Sequence, residues 1–442
     1  MSPRSRLRWL WLGLWLAIAV LLAGRAAGRP PTRGVILDHL EFGRRLVHGE
    51  DVYGPWKSDP DAPMRPLHAP YPPSFGLLTA PFALVDELLG LRAARFAWAL
   101  LQVAALAACG LVLRSLLAPR APPARLLDDT RWQLLWLGTF VLLARFLLRD
   151  THGGGGNLIN AAFAVLALHA SERGHDRRAG LWLAVSLVTK PNLVWLLPVF
   201  ALFGRWRTLL WTGAFGGAAL LATVALQRFD VAPWWRWLQG SWAMTVQPDP
   251  WAVPAFDFPP FEWMNQALRF ALARWFGTVP DEFVQRVAWG VTPGLGLPAD
   301  RVASAVRLGT LLLLGVLCWA AFRLRRNAAA RPWLVAATLV LSLLLSPISW
   351  KGHHVALLPV VLLLLHRAVG QRARGAWWLL GGWYTSCALL GGDLVGDDCD
   401  EWLNSIYVVT LGDLALFAAA LCGARSATLE HEDPAAFDRP LQ

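Results

Sequence analysis

The stretch RPWLVAATLVLSLLLSPISWKGHHVALLPVVLLLLHR, residues 331–367, contains two long apolar runs, 332–348 and 354–366, that are separated by a short polar turn. Apolar runs of this kind recur from one end of the chain to the other. A helix needs about 20 apolar residues to cross a hydrocarbon core of ~30 Å. The pattern therefore predicts an all-α protein with many membrane spans. The turn itself contains Lys351 and two histidines. These residues need an explanation, because charge within a membrane protein is costly.

The composition of the chain supports the same class of protein. Of the 442 residues, 56% are hydrophobic, and the formal net charge is +11. The arginines lie in short connectors between apolar runs, which is an orientation signal of membrane proteins and not a nucleic-acid-binding stripe. The five cysteines are scattered and show no CxxC spacing, so neither a disulfide framework nor a zinc site is predicted.

The distribution of arginine predicts how the chain is oriented. Three arginines precede the first apolar run, 9–23, and this places the N-terminus in the cytoplasm. That run also resembles a signal peptide, with small residues at Ala26 and Ala27, but its cleavage would leave residues 25–73 extracytoplasmic all the same. The connectors predicted to be cytoplasmic are Arg114–Arg131, Arg173–Arg178, Arg205–Arg207, Arg323–Arg331 and Arg367–Arg374.

Two apolar runs do not fit as simple crossings. The run 74–89 follows a proline-rich start and is predicted to be a half-helix, and 179–203 is predicted to break at TKPN into two short limbs. About ten full crossings remain, in a single domain at 1–423. This domain has outer loops at 25–73 and 228–300, with amphipathic helices outside the membrane, and residues 424–442 form a polar cytoplasmic tail.

In this orientation the polar interruptions of the chain all lie at the outer face. The first is Asp38, which opens an amphipathic segment in the first outer loop, either as an acid with a chemical role or as the cap of a solvated surface helix. Tyr71 follows in HAPYPPSFGLL, where prolines indicate a rigid entry into the membrane. Because these polar interruptions are predicted to lie at the same face of the membrane, they are candidates for a common site.

Two further interruptions could bind an anion. Four glycines precede Asn157 at a helix start, which would receive a phosphate or would simply be a flexible connector with Asn157 as the cap. Lys190 stands at the helix break, where it would either snorkel outward as an anchor or offer a point charge to a phosphate.

The remaining candidates lie in the long outer loop and in the opening turn. Tryptophans of the loop could stack on sugar rings but are more typical of an interfacial belt, whereas Asn265 and Gln266 are suited to bind sugar hydroxyls. In the turn, Lys351 and His353 stand beside Trp350 where one helix ends and the next begins. The histidine doublet has no acidic or cysteine partner near it in sequence, so no metal site and no cofactor is predicted.

Taken together, these segments resemble glycosyltransferase family 87, membrane enzymes of the GT-C superfamily that use polyprenyl-phosphate sugars. The similarity covers about residues 35–365 and lies in the order of LDHLEFGRRLVHGEDVYG, YPPSFGLLTAPFAL, GGGGNLINAAF, SLVTKP, MNQALRF and LSPISWKGHHVALLP. One position departs from the family pattern, because the glutamine expected two residues before Asn157 is Gly155.

The resemblance implies a GT-C-like fold and an inverting hexosyltransferase of the plasma membrane, with mannose as the familiar donor sugar. Asp38 corresponds to the family's general base, and Lys190 and His353 correspond to its lysine and histidine. Lys351 joins them as a candidate donor of charge to the lipid phosphate, and the candidates for contacts with sugar or acceptor are Tyr71, Asn157, Asn265, Gln266 and Trp350. The partners would be a polyprenyl-phosphate sugar and a glycolipid or glycan acceptor, without nucleic acid.

Two other classes of function remain open at this stage. A multi-pass transporter or flippase of lipid-linked sugars would have a similar composition, but such proteins often contain inverted repeats and midplane polar groups. No convincing repeat is present, and the polar breaks cluster at one face. A non-catalytic relative that binds glycolipids is the third possibility.

Overall fold

A computed structural model describes residues 3–56, 65–66, 71–117, 127, 129–246, 251 and 261–432. Helices make up nearly all of the regular structure in this part of the chain. The exception is a pair of two-residue antiparallel strands, β1 (Pro55–Trp56) and β2 (Arg65–Pro66). Parts of both predicted outer loops and the last ten residues of the predicted tail lie outside the described residues.

The described residues of the first half of the chain form ten helices. They are α1 (Pro3–Ala27), α2 (Ile36–His48), α3 (Phe75–Leu89), α4 (Leu91–Leu117), α5 (Thr130–Gly153), α6 (Asn157–Glu172), α7 (Asp176–Thr189), α8 (Leu196–Leu202), α9 (Trp206–Leu226) and α10 (Ala232–Val246). A 3-10 turn at Pro191–Leu193 joins α7 to α8.

The second half of the described chain adds nine helices. They are α11 (Leu268–Phe276), α12 (Asp281–Val284), α13 (Ala299–Leu324), α14 (Arg331–Leu345), α15 (Leu358–Gly370), α16 (Arg374–Trp383), α17 (Gly392–Val395), α18 (Asp397–Ser405) and α19 (Val408–Glu432). A 3-10 segment, Lys351–Leu357, leads into α15, and a π-helical turn, Tyr384–Leu389, continues α16. Helix α19 includes residues 424–432 of the predicted tail.

Seven helices in the described residues are long and apolar enough to cross a membrane. They are Arg6–Ala27, Leu91–Leu117, Trp206–Leu226, Ala299–Leu324, Ala328–Leu345, Lys351–Gly370 and Val408–Thr428. This confirms a helical, multi-pass membrane protein but not the predicted count of ten. The difference has a physical reason, because several predicted spans are shorter than a bilayer or, like α5 with Arg145, Arg149 and Asp150, carry several charges.

The short helices follow the predicted breaks. Helix α3 has 15 residues and is therefore about 22 Å long, less than the hydrocarbon thickness of ~30 Å. The break predicted at TKPN is confirmed, since α7 ends at Thr189 and Lys190 is extended before the 3-10 turn. A non-helical segment at this depth needs partners from neighbouring helices, and these partners belong to the site described below.

Among the candidate spans, α14 and α15 are the most buried. Thirteen of the fifteen residues of α14 are buried, from Pro332 to Leu344, as are Leu358 to Leu365 in α15. Helix α19 packs against α14 so closely that a Cβ on Gly423 would lie 2.4 Å from the ring of Trp333. This rigid centre holds the polar turn 346–353 between α14 and α15 in a fixed position.

Candidate active site

A cavity of about 1150 Å³ collects the polar interruptions of the chain. Its lining comes from the C-terminal ends of α1, α5 and α14, from the segments that follow α1, α5, α7 and α14, and from α10, α17 and α18. Seven of the predicted site residues line it: Asp38, Tyr71, Asn157, Lys190, Trp350, Lys351 and His353. Residues more than 300 positions apart in sequence therefore face one volume.

Lys190 is held by the glycine-rich turn that precedes α6. Its Nζ donates hydrogen bonds to the carbonyl oxygen of Gly155 and to Oδ1 of Asn157, the latter at 2.9 Å. The same ammonium lies 5.1 Å from the centroid of the Tyr71 ring, within the range of a cation–π contact. The turn can make these bonds because Gly154 and Gly156 adopt positive φ, which side chains other than glycine rarely do.

Asp150, at the end of α5, organises this turn and was not predicted from the sequence. Its Oδ1 accepts a hydrogen bond from Nδ2 of Asn157 at 2.7 Å, and its Oδ2 accepts one from the backbone N–H of Leu158 at 3.1 Å. Asp150 therefore caps α6 and turns the Oδ1 of Asn157 toward Lys190. The available signal was an acidic residue shortly before a glycine run, but only the fold shows that the two meet.

Two opposing effects set the pKa of Lys190. Burial lowers the pKa of Lys190 to about 8, although the nearby Asp150 carboxylate raises it. Burial likewise raises the pKa of Asp150, while the charge of Lys190 and the hydrogen bonds from Leu158 and Asn157 oppose that change. An anion arriving in the cavity would favour the charged form of Lys190.

Asp38 lies in the first turn of α2 and faces the cavity with its side chain partly exposed. Its neighbourhood is fixed by aromatic packing, because Tyr71 stacks on Phe75 at 4.3 Å and contacts the ring of His39 at 5.1 Å. Burial, with the charges of Asp38 and Asp150, raises the pKa of Tyr71, so this phenol stays neutral. The Lys190 ammonium lies over this same ring, and the Asp38 carboxylate is near enough to raise the pKa of its phenol.

The two histidines of the WKGHH turn have different surroundings. The backbone N–H of Trp350 donates to Nδ1 of His353 at 3.1 Å, which places the proton of a neutral imidazole on Nε2. His354 is fully buried, and its Nε2 lies 3.0 Å from Oδ2 of Asp413 in α19. His353 lines the cavity, whereas His354 anchors the turn to the core.

Lys351 lies in the cavity wall but is already paired. Its Nζ is 2.5 Å from Oδ1 of Asp400, and Arg145 approaches the same carboxylate at 3.5 Å. Burial raises the pKa of Asp400, but the hydrogen bond and charge of Lys351 and the charge of Arg145 outweigh it and hold that pKa below its usual range. The acidic segment after α16 thus supplies Asp393 and Asp400 to the cavity.

Asn265 and Gln266 lie behind the cavity wall. Nδ2 of Asn265 donates to the carbonyl oxygen of Pro347 at 3.1 Å, and its Oδ1 accepts from the N–H of Ser349 at 2.9 Å. Nε2 of Gln266 donates to the carbonyl oxygen of Asn404 at 3.0 Å. These amides bind backbone and support the turn, so the structure does not place them where a sugar hydroxyl would contact them.

The tryptophans of the outer loop differ in their surroundings. Trp237 lines the cavity, while Trp235 and Trp242 on the same helix are more than 60% exposed, as an interfacial belt requires. Within the described residues no group of three histidine, cysteine, aspartate or glutamate side chains could hold a metal ion.

A comparison with known protein families shows which class of protein contains this cavity. The sequence model of glycosyltransferase family 87 matches residues 69–347, more than half of the chain. The chain belongs to glycosyltransferase family 87. This confirms the resemblance and makes the protein a membrane glycosyltransferase, with a sugar donor and an acceptor as substrates. No curated protein matches the chain.

The family 87 match covers part of the cavity lining. Asn157 and Lys190 lie within the matched residues, as does Asp150. Asp38 precedes the matched range, and Lys351 and His353 follow it. The fold brings these outer segments to the matched core, so the cavity extends beyond the segment that defines the family.

Proposed function

We propose that this family 87 glycosyltransferase moves a hexose, with mannose the first candidate, from a polyprenyl-phosphate sugar to a lipid or glycan acceptor at the outer face of the plasma membrane. The reaction inverts the anomeric configuration, and Asp38 is the general base. The observation that carries the proposal is the meeting of one carboxylate, one ammonium and one imidazole from three distant segments in a single cavity.

Asp38 has the chemistry that the acceptor requires. The acceptor hydroxyl must lose its proton as its oxygen attacks the anomeric carbon, and a partly exposed carboxylate can accept that proton. The bond from the anomeric carbon to the phosphate oxygen breaks on the opposite side, which inverts the configuration. A single carboxylate is sufficient because the leaving lipid phosphate is a weak base and needs no general acid.

The leaving phosphate needs fixed positive charge and hydrogen-bond donors. Lys190 is suited to this role, since its ammonium is oriented by Gly155 and Asn157 and faces the cavity. His353 offers the N–H of Nε2 as a neutral donor, which differs from the cationic role expected from the sequence. Lys351 can take part only by sharing its ammonium with Asp400.

Tyr71, Asn157 and Trp350 are the remaining lining residues proposed to contact sugar or acceptor. Aromatic faces such as those of Tyr71 and Trp350 suit the C–H faces of sugar rings. A cavity of about 1150 Å³ exceeds the usual size of a small-ligand pocket, roughly 300–1,000 Å³. It therefore has room for the donor head group together with part of an acceptor.

The test is a transfer assay with purified protein in lipid nanodiscs. Polyprenyl-phosphate mannose, glucose and other hexoses are each incubated with a set of glycolipid and glycan acceptors, and products are identified by mass spectrometry and by the anomeric coupling constant in NMR. Formation of an α-linked product from a β-linked donor supports the proposal. Transfer from a sugar nucleotide but from no polyprenyl-phosphate sugar would contradict it.

A flippase of lipid-linked sugars is the second candidate, because the cavity would also accommodate a lipid head group without chemistry. Liposomes that contain the protein and a fluorescent polyprenyl-phosphate sugar distinguish the two functions. Movement of the intact lipid across the bilayer, with no product formed, would favour the flippase. Binding without transfer or movement would favour a non-catalytic glycolipid-binding protein.

A further inference from the structure

A second cavity, of about 580 Å³, lies at the ends of three helices that are long enough to cross a membrane. Its walls are the turn from α8 into α9 and the connector from the end of α13 to the start of α14. Arg331, in its lining, begins α14, whereas Leu345, which ends α14, lines the cavity of the candidate active site. At 1.5 Å per residue these two positions are roughly 21 Å apart, so the second cavity is a separate site.

Two arginines of the second cavity have no carboxylate partner among the described residues. They are Arg325 and Arg326, which directly follow α13. A third arginine, Arg331, donates to both carboxylate oxygens of Glu172 at 2.8 Å. Glu172 also pairs with Arg205 at 3.3 Å, so this carboxylate is already shared between two arginines. The charges of Arg325 and Arg326 are therefore uncompensated in the described part of the chain.

The guanidinium of Arg325 is oriented by the end of its own helix. It lies 4.0 Å from the centroid of the Phe322 ring, and its Nη1 donates to the carbonyl oxygen of Phe322 at 2.6 Å. Nη2 of Arg331 donates to the carbonyl oxygen of Arg325 at 3.1 Å, which fixes the backbone of the connector. An arginine has five N–H donors, and most of those of Arg325 remain for a ligand. Because the group is already oriented, the entropy cost of binding is lower.

The surface around these arginines is apolar and exposed. Trp206 and Phe322, which line the second cavity, are 62% and 50% exposed. In the apolar stretch of α9 only 11% of the residues are buried in the protein, and in that of α13 only 17%. Such faces contact lipid chains in a membrane, and tryptophan prefers the level of the head groups. A ligand that fits this surface has an anionic group for the arginines and apolar chains for the helices.

We propose that the second cavity binds the head group of an anionic phospholipid such as phosphatidylglycerol, with the acyl chains against α9 and α13. The phosphate accepts hydrogen bonds from Arg325 and Arg326. This lipid is not a substrate, and it stabilises two helices that are little buried in the protein. In the orientation proposed above, the second cavity faces the cytoplasm, where basic sites between spanning helices bind anionic head groups. The inference goes beyond the proposed function and does not depend on sugar transfer.

The first experiment measures the Kd of phosphatidylglycerol for the full chain in neutral detergent by native mass spectrometry. For Arg325→Gln and Arg326→Gln, we expect the Kd to rise about tenfold each, because each loses a hydrogen bond to a charged phosphate. Phe322→Leu removes the ring beneath Arg325 and should raise the Kd about threefold. Arg323→Gln is the matched control, since Arg323 is exposed in the last turn of α13 but does not line the second cavity.

The control variant separates a specific site from a general effect of charge. All three arginine variants lose the same charge at the same end of α13. Equal rises in the Kd for the three would mean that the lipid is attracted by the basic surface as a whole, which would overturn the inference. An unchanged Kd in both Arg325→Gln and Arg326→Gln would also refute it.

Thermal unfolding identifies the source of the phosphate, because a ligand that binds only the folded protein raises the melting temperature. We expect phosphatidylglycerol to raise the melting temperature of the wild type more than phosphatidylcholine with the same chains. This difference should vanish in the double variant Arg325→Gln/Arg326→Gln. If millimolar glycerol phosphate gave the same rise without lipid, the site would bind a soluble phosphate compound and the lipid assignment would be wrong. Equal effects of the two lipids would likewise contradict the selection of an anionic head group.

Discussion

At the scale of single residues, the proposed chemistry depends on Asp38. Replacing its carboxylate by an amide removes the group that accepts the proton but keeps the shape of the side chain. For Asp38→Asn we expect kcat/KM to fall about 10²–10⁴-fold, with unchanged membrane insertion and melting temperature. The measurement is the initial rate of transfer in nanodiscs.

The neighbouring Glu41 provides the control for this substitution. It lies one turn along α2 and pairs with Arg44 and Arg45, and it does not line the cavity. Glu41→Gln should therefore retain most of the activity. If Asp38→Asn transferred sugar at the wild-type rate, the base would have to be another residue.

The protonation of Lys190 predicts a pH dependence. Because the pKa of Lys190 is about 8, the ammonium is present below that pH and is lost above it. If the charged form binds the donor phosphate, kcat/KM for the donor falls as the pH rises through about 8. Bound phosphate stabilises the ammonium, so the alkaline limb of kcat should lie at higher pH than that of kcat/KM.

The variant Lys190→Arg tests this assignment, because an arginine stays charged over the whole range. Its alkaline limb should disappear from the kcat/KM profile even if its rate is lower than that of the wild type. An unchanged limb near pH 8 in this variant would show that a different group titrates.

At the scale of elements, the decisive feature is the turn between α5 and α6. A Cβ on Gly155 would lie 2.2 Å from Oδ1 of Asp150 and 3.0 Å from Nδ2 of Asn157. A side chain at this position cannot coexist with the Asp150–Asn157 hydrogen bond. The glutamine that the family pattern leads one to expect here would meet the same obstacle in this chain.

Gly155→Ala should therefore separate Asp150 from Asn157 and release Lys190. We expect a loss of about 1–3 kcal/mol in stability and a fall in transfer rate, measured by thermal unfolding in detergent and by the nanodisc assay. Gly352→Ala is the matched control in the same cavity, since its nearest heavy atom would be 3.8 Å from the new Cβ. Equal behaviour of the two variants would refute the role of the turn.

At the scale of the whole molecule, the prediction concerns which side of the membrane the cavity faces. In the proposed orientation, the acidic loop with Asp398 is outside and the connector with Arg326 is inside. Both side chains are exposed, at opposite ends of the spanning helices. In a cysteine-free background, Asp398→Cys should react with a membrane-impermeant maleimide on intact cells, and Arg326→Cys only after permeabilisation. The reverse labelling pattern would place the reaction on the cytoplasmic side.

The local pattern of residues was enough to predict the class of protein and the breaks in its helices. Long apolar runs have few stable states other than membrane-spanning helices, and a proline after Lys190 prevents α7 from continuing. The same pattern predicted about ten spans, whereas seven described helices are long and apolar enough to cross, because hydropathy does not show whether a run such as 156–170 is enclosed by other helices. Helix α6 has 16 residues, and 12 of them are buried within the protein.

The amino-acid sequence alone determined the helical membrane class, the family and seven of the residues that line the cavity, since these depend on composition and on motifs that are local in the chain. Tertiary structure decided which polar groups face the cavity and which support it. It paired Lys351 with Asp400, buried His354 against Asp413, and turned Asn265 and Gln266 toward backbone. Such pairings join residues that are far apart in sequence, and their geometry depends on how whole helices pack.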